Sequence, residues 1–413
     1  MTQTVSVQVS IMGAGPVGGT IACRLADAGV SVALIDRAAL PPMENPAFDG
    51  RAYAIAAGSR GLLEDAGLWR ALDVVPNPIR DIRVSDGRIG RPPSRLHLHF
   101  DHRDAAQDPG PFGWMVEARA LRKALNARFP TQPNLHLFAP ATATVERHDD
   151  RCVVSLHGGS AIECQLVIAA EGRESPLREQ AGIPVTRIPY GQTAIVCAIS
   201  HQRPHHDLAI EHFLPGGPFA VLPMAPSSDA IAGGAPHVSA IVWTERRDAA
   251  TTLLALDDNR FGREVSRRLG SHLGAIRPIG RRWSYPLSAM IVQRYVDRRL
   301  ALAGDAAHGI HPIAGQGLNL GLRDGIALAD LIIAAAQARQ DVGDATLLTR
   351  YQRARQPDNL LMFSATDGLG RLFGTERRLL RATRDLGIGA VNRTTATKRL
   401  FMRQAMGLPP TGD

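Results

Sequence analysis

A glycine-rich turn between a predicted strand and a predicted helix constrains the fold of this chain more than any other feature. Residues 13–18 have the sequence Gly-Ala-Gly-Pro-Val-Gly. An apolar strand is predicted before the turn, at residues 5–11, and a helix after it, at residues 20–28. This strand–turn–helix pattern is typical of the first unit of a Rossmann-like α/β domain that binds a dinucleotide.

Each glycine of the turn has a separate physical role, and an acidic residue completes the motif. Gly13 permits the tight turn, Gly15 lets the backbone approach a diphosphate, and Gly18 allows the helix to pack closely on the strand. The helix N-terminus adds unpaired N–H groups and a partial positive charge. Asp36 ends the next predicted strand, where it can accept a hydrogen bond from a ribose hydroxyl, and Arg37 follows it. These five residues are candidate dinucleotide ligands, and the motif alone does not separate FAD from NAD.

Length and composition favour a globular protein of two or three domains, or of one large doubly wound unit with an insertion. The chain has 413 residues, of which 45% are hydrophobic and 21% charged, and a domain averages about 150 residues. No apolar run approaches the roughly 20 residues that span a bilayer, and the first residues predict a strand, not a signal peptide. We therefore expect a cytoplasmic protein whose cysteines are buried thiols. They are Cys23, Cys152, Cys164 and Cys197.

The formal net charge of +8 raises the question of nucleic-acid binding. Among the 47 basic residues, Lys123 and Lys398 are the two lysines, and the predominance of arginine suggests a compositional bias more than a binding surface. Nine basic and two acidic side chains lie between residues 371 and 403, which gives that segment a net charge of +7. The rest of the chain is nearly neutral, so we expect no nucleic-acid binding.

Hydrophobic patterns divide the chain into two kinds of domain and a tail. Residues 79–112 and 183–285 contain short runs of alternating apolar and polar residues, which are typical of half-buried strands in a mixed or antiparallel sheet. The pattern after residue 304 is helical. We predict a discontinuous nucleotide-binding domain, an inserted sheet domain and a basic helical tail. Their boundaries are 1–78, 113–182 and 286–370 for the first, 79–112 and 183–285 for the second, and 371–413 for the tail.

A second motif, far along the chain, distinguishes between the dinucleotides. Residues 299–305 (RLALAGD) predict a buried strand that ends in Gly-Asp, and residues 311–324 (HPIAGQGLNLGLRD) lead into a helix. This stretch resembles the class A flavoprotein monooxygenases. In that family the aspartate holds the ribityl chain of FAD, and the next loop and helix start lie against the isoalloxazine ring.

The physical chemistry of the second motif agrees with the resemblance. Glycines at positions 315 and 317 allow the backbone to approach a flat ring, and a helix N-terminus stabilises negative charge on reduced flavin. His308 and His311 could suggest a metal, but no carboxylate or thiol cluster accompanies them, so we predict no metal site. The resemblance implies these FAD ligands: Gly304, Asp305, Pro312, Gly315, Gln316, Gly317, Leu318 and Asn319.

The same stretch is similar, more narrowly, to the UbiH/UbiF-type ubiquinone-biosynthesis hydroxylases, and the resemblance covers nearly the whole chain. It implies that Arg51 and Arg119 lie at the FAD, one near the ring and one near the diphosphate. A surface ion pair is the alternative for each arginine. The other matching segments are residues 49–55 (DGRAYAI), 63–69, 217–223 (GPFAVLP), 285–287 (YPL) and 403–408 (RQAMGL).

One segment departs from the family pattern. The usual Asp-Gly-x-x-Ser-x-x-Arg motif, thought to serve FAD and nicotinamide binding in the family, is EGRESPLR at residues 171–178. Glu171, followed by Gly172, keeps the negative charge, but its extra methylene moves the carboxylate by about 1 Å. We expect the change to be tolerated; slower reduction by NAD(P)H is the alternative.

The resemblance also implies a fold and an activity. The fold is α/β: a Rossmann-like FAD-binding domain with an inserted mixed-sheet substrate domain and a helical C-terminal tail. NAD(P)H reduces the FAD, O2 gives a flavin C4a-hydroperoxide, and one oxygen atom passes to a polyprenylated phenol in ubiquinone biosynthesis. No catalytic base is evident. Tyr190, His212 and Tyr285 lie in the predicted substrate domain, where we expect each to pack in the core.

The tail and the activity leave alternatives open. Either the tail lies on an anionic membrane surface, at the inner face of the cytoplasmic membrane, or it packs back on the FAD domain. Membership of a quinone-biosynthesis complex is a further expectation. Two other functions stay open: hydroxylation of a small soluble aromatic compound, and a non-catalytic flavin-binding role in that complex. The apolar tail residues between the arginines are Leu379, Leu380, Leu386, Ile388, Val391, Leu400, Phe401 and Met402.

Overall fold

Four β-sheets and nine helices make up the part of the chain that the structure, a computed structural model, describes. The described residues are 4–40, 50–90, 97–104, 110–226, 236–373 and 395–408. The strands are β1 (Thr4–Ser6), β2 (Val9–Met12), β3 (Val32–Ile35), β4 (Ala52–Ala56), β5 (Asn77–Ile79), β6 (Asp81–Asp86), β7 (His97–Asp101), β8 (Gly113–Glu117), β9 (Leu135–Phe138), β10 (Ala143–Arg147), β11 (Cys152–Leu156), β12 (Ala161–Cys164), β13 (Leu166–Ala169), β14 (Val185–His201), β15 (Leu208–Leu214), β16 (Gly217–Met224), β17 (His237–Arg246), β18 (Ile276–Val292), β19 (Val296–Asp297), β20 (Leu300–Leu302) and β21 (His308–Gly309). The helices are α1 (Pro16–Asp27), α2 (Ala57–Asp65), α3 (Ala118–Arg128), α4 (Pro176–Gln180), α5 (Arg247–Leu254), α6 (Asp258–Leu269), α7 (Gly317–Gln337), α8 (Ala345–Phe373) and α9 (Thr395–Ala405).

A six-stranded, mainly parallel sheet forms the core of the nucleotide-binding half. Its strand order is β19–β20–β13–β2–β3–β9, and β19 alone in this sheet runs antiparallel to its neighbour. Every residue of β2, β3 and β13 is buried, because these strands share one hydrophobic core with α1, α7 and a small four-stranded sheet. The predicted Rossmann-like α/β fold is confirmed.

The start of the chain differs from the prediction in two respects. The strand predicted at residues 5–11 is two strands, since the chain passes from one sheet to another at Val7 and Gln8. Strand β1 pairs with β12, whereas β2 pairs with β13 and β3. Helix α1 begins at Pro16 and not at residue 20. Proline is favoured in a first helical turn, where the missing N–H would have no partner in the helix.

Two small sheets flank the parallel sheet. The four-stranded sheet has the order β1–β12–β11–β10 and packs on the nucleotide-binding core. The three-stranded sheet β4–β8–β5 has two packed faces. Ile55 and Val116 point into the nucleotide-binding core, while Ile79 and Met115 point towards the large sheet. This small sheet therefore joins the two halves of the molecule.

The large sheet has eight strands in the order β21–β18–β14–β17–β16–β15–β6–β7 and is antiparallel except between β15 and β6. Its outer face packs against α5 and α6, and its inner face points towards the three-stranded sheet. The predicted mixed sheet is confirmed. Strand β18 runs across the predicted domain boundary at residue 286, and the exact division into domains stays a prediction.

The C-terminal part of the chain is helical where the structure describes it. Helix α8 extends beyond the predicted tail boundary at residue 371. In α9, Met402 is buried, and Met406 just after it is buried too, both among apolar residues of the inner-face cluster. This part of the tail packs back on the protein, which was one of the two alternatives. The apolar tail residues 379–391 lie outside the described residues. No helix in the described ranges has the length and apolarity to cross a membrane.

Candidate functional site

A cavity of about 1350 Å³ lies at the carboxyl ends of the parallel strands and extends to the inner face of the large sheet. Residues at or just beyond the ends of four parallel strands contribute to its wall, namely Met12, Ile35, Ala170 and Ala303. The carboxyl edge of an open α/β sheet is where such folds bind ligands. Eleven predicted site residues line this cavity: Gly13, Gly15, Asp36, Arg37, Glu171, Gly172, Asp305, Pro312, Gly315, Gly317 and Leu318.

The glycines of the first turn differ in how much space the surrounding atoms leave for an added side chain. Gly13 has a φ of +104°, and a Cβ there would lie 2.5 Å from the carbonyl oxygen of Ala170. A Cβ on Gly18 would lie 2.0 Å from the carbonyl oxygen of Gly13. At Gly15 nothing is within 4 Å of an added Cβ. Gly13 and Gly18 are thus required by packing, whereas Gly15 leaves space in the cavity.

Asp36 is oriented by backbone hydrogen bonds at the end of β3. Its carboxylate accepts hydrogen bonds from the N–H groups of Ala14 (2.8 Å) and Ala38 (2.9 Å). The Arg122 guanidinium donates to the carbonyl oxygen of Ala14 at 2.9 Å and so supports the same turn from α3. Arg122 was not predicted from the sequence. The available signal was its position one helical turn after Arg119, on the same face of α3.

A buried polar cluster holds the Gly304-Asp305 turn. Asp324 is fully buried and accepts from the Gly304 N–H (3.1 Å), pairs with His308 Nε2 (2.5 Å), and accepts from Arg355 and Asn359 (both 2.9 Å). Burial acts to raise the pKa of Asp324, but the facing charges of His308 and Arg355 and the hydrogen bonds outweigh it and lower the pKa to about 2. Asp324 therefore stays ionised and fixes the turn that presents Asp305 to the cavity.

Two predicted FAD ligands of the second motif face protein instead of the cavity. The Asn319 side chain donates to the Ala54 carbonyl (2.7 Å) and accepts from the Ala56 N–H (2.8 Å), so it ties α7 to β4. Gln316 donates to the carbonyl oxygen of Ala405 at 3.2 Å, in the C-terminal helix. Both side chains hold the cavity-lining loop by hydrogen bonds to other segments of the protein. Direct contact of either residue with a cofactor stays a prediction.

The Glu171 segment is held by its own serine and arginine. Ser175 Oγ donates to the Glu171 carboxylate and also caps α4 by accepting from the Arg178 N–H at 3.2 Å. The buried Arg178 guanidinium donates to the carbonyl oxygens of Arg173 (2.8 Å) and Ala306 (3.0 Å). Burial raises the pKa of Glu171, and the hydrogen bond from Ser175 opposes the rise. This segment is thereby joined to the Gly304-Asp305 turn.

The two arginines assigned to FAD by resemblance lie outside the residues that line the cavity. The Arg51 guanidinium stacks on the Trp283 ring, 4.3 Å from its centroid. Arg119 forms an ion pair with Glu117, at 3.3 Å, in which both side chains are largely buried. The surface ion pair weighed as the alternative does not fit Arg119, because both partners of its ion pair are largely buried. Contact of either arginine with FAD stays a prediction.

The large sheet gives the cavity an apolar wall. That wall contains Ala194, Val196, Leu222 and Val242. Tyr285 also lines the cavity and is 40% exposed, so the expectation that it packs in the core is wrong.

The remaining polar residues singled out from the sequence have partners inside the protein. Tyr190 donates to Asp367 at 3.0 Å and contacts the His311 ring edge-on, and His212 hydrogen-bonds Ser85 at 2.8 Å. In the described ranges, no cluster of three or more His, Cys, Asp or Glu side chains could hold a metal ion.

The cavity has the donor groups that a dinucleotide with a flat ring requires. The first turns of α1 and α7 both border it, and neither N-terminus has a side-chain cap or an acidic residue in its first turn. Their free N–H groups can therefore bind a ligand. The N-terminus of α1 suits a diphosphate, and that of α7 suits the anionic edge of a ring. A Cβ at Gly172 or Gly317 would meet nothing within 4 Å, so the backbone leaves room for a close-lying group. These features fit FAD.

The family assignment agrees with this geometry. Residues 6–362 match the family model described as an FAD-binding domain. The chain belongs to the FAD-binding domain family. This member is therefore an FAD-dependent monooxygenase, and its resemblance to the ubiquinone-biosynthesis hydroxylases of class A is confirmed.

Curated relatives of this family member extend over nearly its whole length. It is 48% identical to the ubiquinone hydroxylase UbiL of Rhodospirillum rubrum, over 97% of this chain and 89% of that protein. It is 32% identical to the 3-demethoxyubiquinol 3-hydroxylase of Escherichia coli, over 97% and 98% of the two chains.

Solved structures of similar fold have low sequence identity. The p-nitrophenol 4-monooxygenase PnpA of Pseudomonas putida superposes with a TM-score of 0.78 at 18% identity, covering 99% of this chain and all of that one. The PqsL protein of Pseudomonas aeruginosa superposes with a TM-score of 0.71 at 20% identity, covering 93% of this chain and 100% of that one. These likenesses concern the fold alone.

Proposed function

We propose that this monooxygenase adds one oxygen atom from O2 to a polyprenylated phenol in ubiquinone biosynthesis. The observation that carries the proposal is the single cavity in which the candidate FAD ligands adjoin an apolar wall of the large sheet. An apolar wall beside the ring position suits a phenol with a hydrocarbon chain better than a small polar compound. The names of the curated relatives support the same substrate class.

The residues that line the cavity have separate proposed roles. Gly13 and Gly15, with the N-terminus of α1, would hold the diphosphate, and Asp36 would accept from the ribose. Asp305 would accept from the ribityl hydroxyls, and residues 315–318 would lie against the ring. Bound and reduced FAD supplies the chemistry that activates O2. The side chains of this chain bind and orient the cofactor at the stated positions.

The apolar wall also has a protective role in the proposed reaction. Leu222 and Val242 present only hydrocarbon to the cavity. Exclusion of water from such a site prevents loss of the activated oxygen to solvent. Tyr285 lines the same cavity. The positions of these three side chains thus favour transfer of oxygen to substrate over its release.

The proposed function is tested by quinone profiling in a strain that lacks this protein. We expect ubiquinone to fall and a polyprenylated phenol that lacks one hydroxyl to accumulate, and mass spectrometry of that intermediate identifies the ring carbon. Re-expression of the chain restores the profile. A strain with unchanged ubiquinone and no such intermediate would contradict the proposal and favour hydroxylation of a small soluble aromatic compound.

The reductant is proposed to be NAD(P)H, and Glu171 is proposed to serve in place of the usual aspartate. Ser175 and the start of α4 fix the Glu171 carboxylate, so Glu171→Asp is expected to change the rate of flavin reduction by less than about tenfold. Stopped-flow reduction by NADH and NADPH measures this rate. Glu174→Asp, at an exposed neighbour paired with Arg187, is the matched control. A large gain in the Glu171→Asp rate would show that glutamate impairs reduction.

Membrane contact through the basic tail is a further proposal, because a polyprenylated substrate is a membrane lipid. Each basic residue near an anionic surface contributes about 1 kcal/mol, so replacing Arg377, Arg378 and Arg381 with glutamine is expected to weaken vesicle binding by about 10²-fold. Co-sedimentation with phosphatidylglycerol vesicles measures the binding. The control replaces three exposed arginines elsewhere with glutamine: Arg339, Arg350 and Arg353. Equal binding by the two triple variants would rule out a specific contribution of the tail.

A further inference from the structure

An acidic side chain, Glu211, lies on the inner face of the large sheet. In β15 the alternation of side chains directs Ile210 and Leu214 to the outer cluster with α5 and α6, and directs Ala209 to the inner cluster. Glu211 lies two residues after Ala209 and therefore points to the same face of the sheet, since the pairing of β15 with β16 contains no bulge. Its carboxyl group therefore points towards the face that carries the cavity wall.

The neighbours of Glu211 place it next to that wall. Across the ladder it faces Ala220 on β16 and Val84 on β6. Ala220 in turn pairs with Val242, and Leu222 lies two residues further along β16. Both Val242 and Leu222 line the cavity. Since adjacent strands are about 4.8 Å apart, the glutamate side chain is within reach of a ligand seated against this wall.

Glu211 has no polar partner among the residues that the structure describes. Its carboxyl makes no hydrogen bond or ion pair with any side chain in the described residues, and its oxygens are not among the fully enclosed polar atoms. The side chain is half-buried, and protein surrounds it on the inner face. Glu211 does not itself line the cavity; it lies on the strand next to the one that carries Leu222 of the cavity wall, opposite Ala220.

The surroundings of Glu211 are apolar on most sides. The other side chains of β15 and β16 on the inner face of the sheet are apolar. On the neighbouring strand β6, the acidic residue of the inner face is Asp86. On the opposite three-stranded sheet the charged side chain is Glu117, which is paired with Arg119. Burial raises the pKa of Glu211 to about 8. A group with this property is available as a base at neutral to mildly alkaline pH.

We propose that Glu211 is a catalytic residue that accepts the phenolic hydroxyl of the substrate and takes its proton. This inference rests on the proposed function and names the group that recognises the phenol. In the step, the phenolic O–H bond breaks and a carboxylic O–H bond forms on Glu211. The negative charge moves from the carboxylate to the phenol oxygen and into the ring. The proton returns to the oxygen before product leaves, so no further reactant is needed.

The step explains why an unpaired acid is retained on an apolar wall. An unpaired carboxylate in such a place destabilises the protein, so the position has a cost in the absence of a ligand. A phenolate ring is a better electron donor than a neutral phenol, and hydroxylation of the ring needs that electron density. Glu211 also distinguishes a phenol from its methyl ether, because the ether has no hydrogen to donate.

The first test compares wild type, Glu211→Gln and Glu211→Asp as FAD-loaded proteins with 2-geranylphenol as substrate. Wild-type kcat is expected to rise with pH through about 8, whereas the Gln variant is expected to lose this rise and to fall by about 10²-fold with little change in KM. The Asp variant should recover part of the activity. Glu163→Gln, at an exposed position of β12, is the matched control and should behave as wild type.

A binding measurement reports on the same contact without turnover. Fluorescence titration of the oxidised holoenzyme with 2-geranylphenol and with its methyl ether gives the preference for the hydroxyl. Wild type is expected to prefer the phenol by about 10–10²-fold, and Glu211→Gln, whose amide oxygen accepts without a negative charge, is expected to reduce this preference. A role limited to structure would leave this preference unchanged.

Thermal unfolding of the ligand-free protein shows whether the variant folds and whether the ionised Glu211 carboxyl destabilises the folded state. Because the folded-state pKa is raised above its ordinary value of 4.5, wild type loses stability as the pH rises through about 8. Glu211→Gln removes this loss, so its Tm should exceed that of wild type, and by more at pH 9 than at pH 5.5.

The outcomes separate this proposal from the proposed function. If wild type is active and Glu211→Gln keeps its activity, pH profile and preference for the phenol, the role of Glu211 is wrong and the proposed function stands. If wild type neither binds nor hydroxylates 2-geranylphenol, all variants are equally inert, and both proposals are wrong.

Discussion

Replacing Asp324 with alanine is expected to lower the free energy of unfolding by about 3–5 kcal/mol. The fully buried carboxylate satisfies Arg355, Asn359 and the Gly304 N–H at once. Its removal leaves a buried guanidinium and two other buried donors without this acceptor. Urea unfolding monitored by circular dichroism measures the loss, and FAD affinity should fall with it, because the Gly304-Asp305 turn is no longer held.

The matched control for Asp324 is on the same helix. Asp330→Ala removes an exposed carboxylate that pairs loosely with Arg24 at 3.4 Å, and it should change stability by less than about 0.5 kcal/mol. The stabilities of the two variants should also depend differently on pH in the acidic range. The depressed pKa of Asp324, about 2, means that its contribution is present at neutral pH and is lost as the pH falls from about 4 to 2. Equal effects of the two variants would contradict the role given to the cluster.

Replacing Gly15 with leucine is expected to abolish FAD binding without unfolding the protein. The backbone at Gly15 is extended, and an added Cβ meets nothing within 4 Å, so the side chain would project into the cavity. There it would occupy the place of the diphosphate and weaken FAD binding by 10²-fold or more, which is about 2.7 kcal/mol. Isothermal titration of the ligand-free protein with FAD measures this affinity.

Substitutions at two other glycines serve as controls for the assignment of Gly15 to the diphosphate site. Gly61→Leu, at an exposed helical position with equally open surroundings, should bind FAD as wild type does. Gly18→Ala should instead reduce stability, because its Cβ would lie 2.0 Å from the Gly13 carbonyl oxygen. A Gly15→Leu variant that retains FAD affinity would place the diphosphate elsewhere.

Much of the fold and part of the candidate site could be predicted, because local sequence encodes them. The glycine-rich turns at residues 13–18 and 315–317 border the cavity, and turns of this kind are recognised from the spacing of their glycines. Strands β2, β3 and β13 are continuous apolar runs, which is how a buried parallel strand is recognised. Asp36 follows β3 directly, Asp305 follows the buried strand β20 by three residues, and both reach the cavity for that reason.

The features that were missed depend on contacts between distant segments. Arg355 and Asn359 bind Asp324 from the next helix, and no spacing in the sequence marks them as its partners. The break between β1 and β2 exists because β12 is a partner for the first strand only. Tyr285 reaches the cavity on a strand that pairs with another lining residue, Ala194, from a distant part of the chain. Such pairings depend on the folded geometry.

Arg51 and Gln316 show the limit of carrying a family pattern onto single residues. The motif around Arg51 reaches the cavity through Tyr53 and Ala54, yet Arg51 itself stacks on Trp283. Gln316 lies within a motif whose other members line the cavity, but its amide binds the C-terminal helix. In both segments the backbone follows the motif, whereas the direction of one side chain is determined by a neighbour from another part of the chain.

The central claim, that this chain is an FAD-dependent hydroxylase of a prenylated phenol, is tested most directly by isotope labelling. The purified FAD-loaded protein is incubated with NADH or NADPH, 2-geranylphenol and ¹⁸O₂, and the product is analysed by mass spectrometry. The account predicts a hydroxylated product that carries one ¹⁸O atom, with NAD(P)H consumption that rises when the phenol is added. Oxidation of NAD(P)H with no labelled product, or a product whose oxygen comes from water, would contradict it.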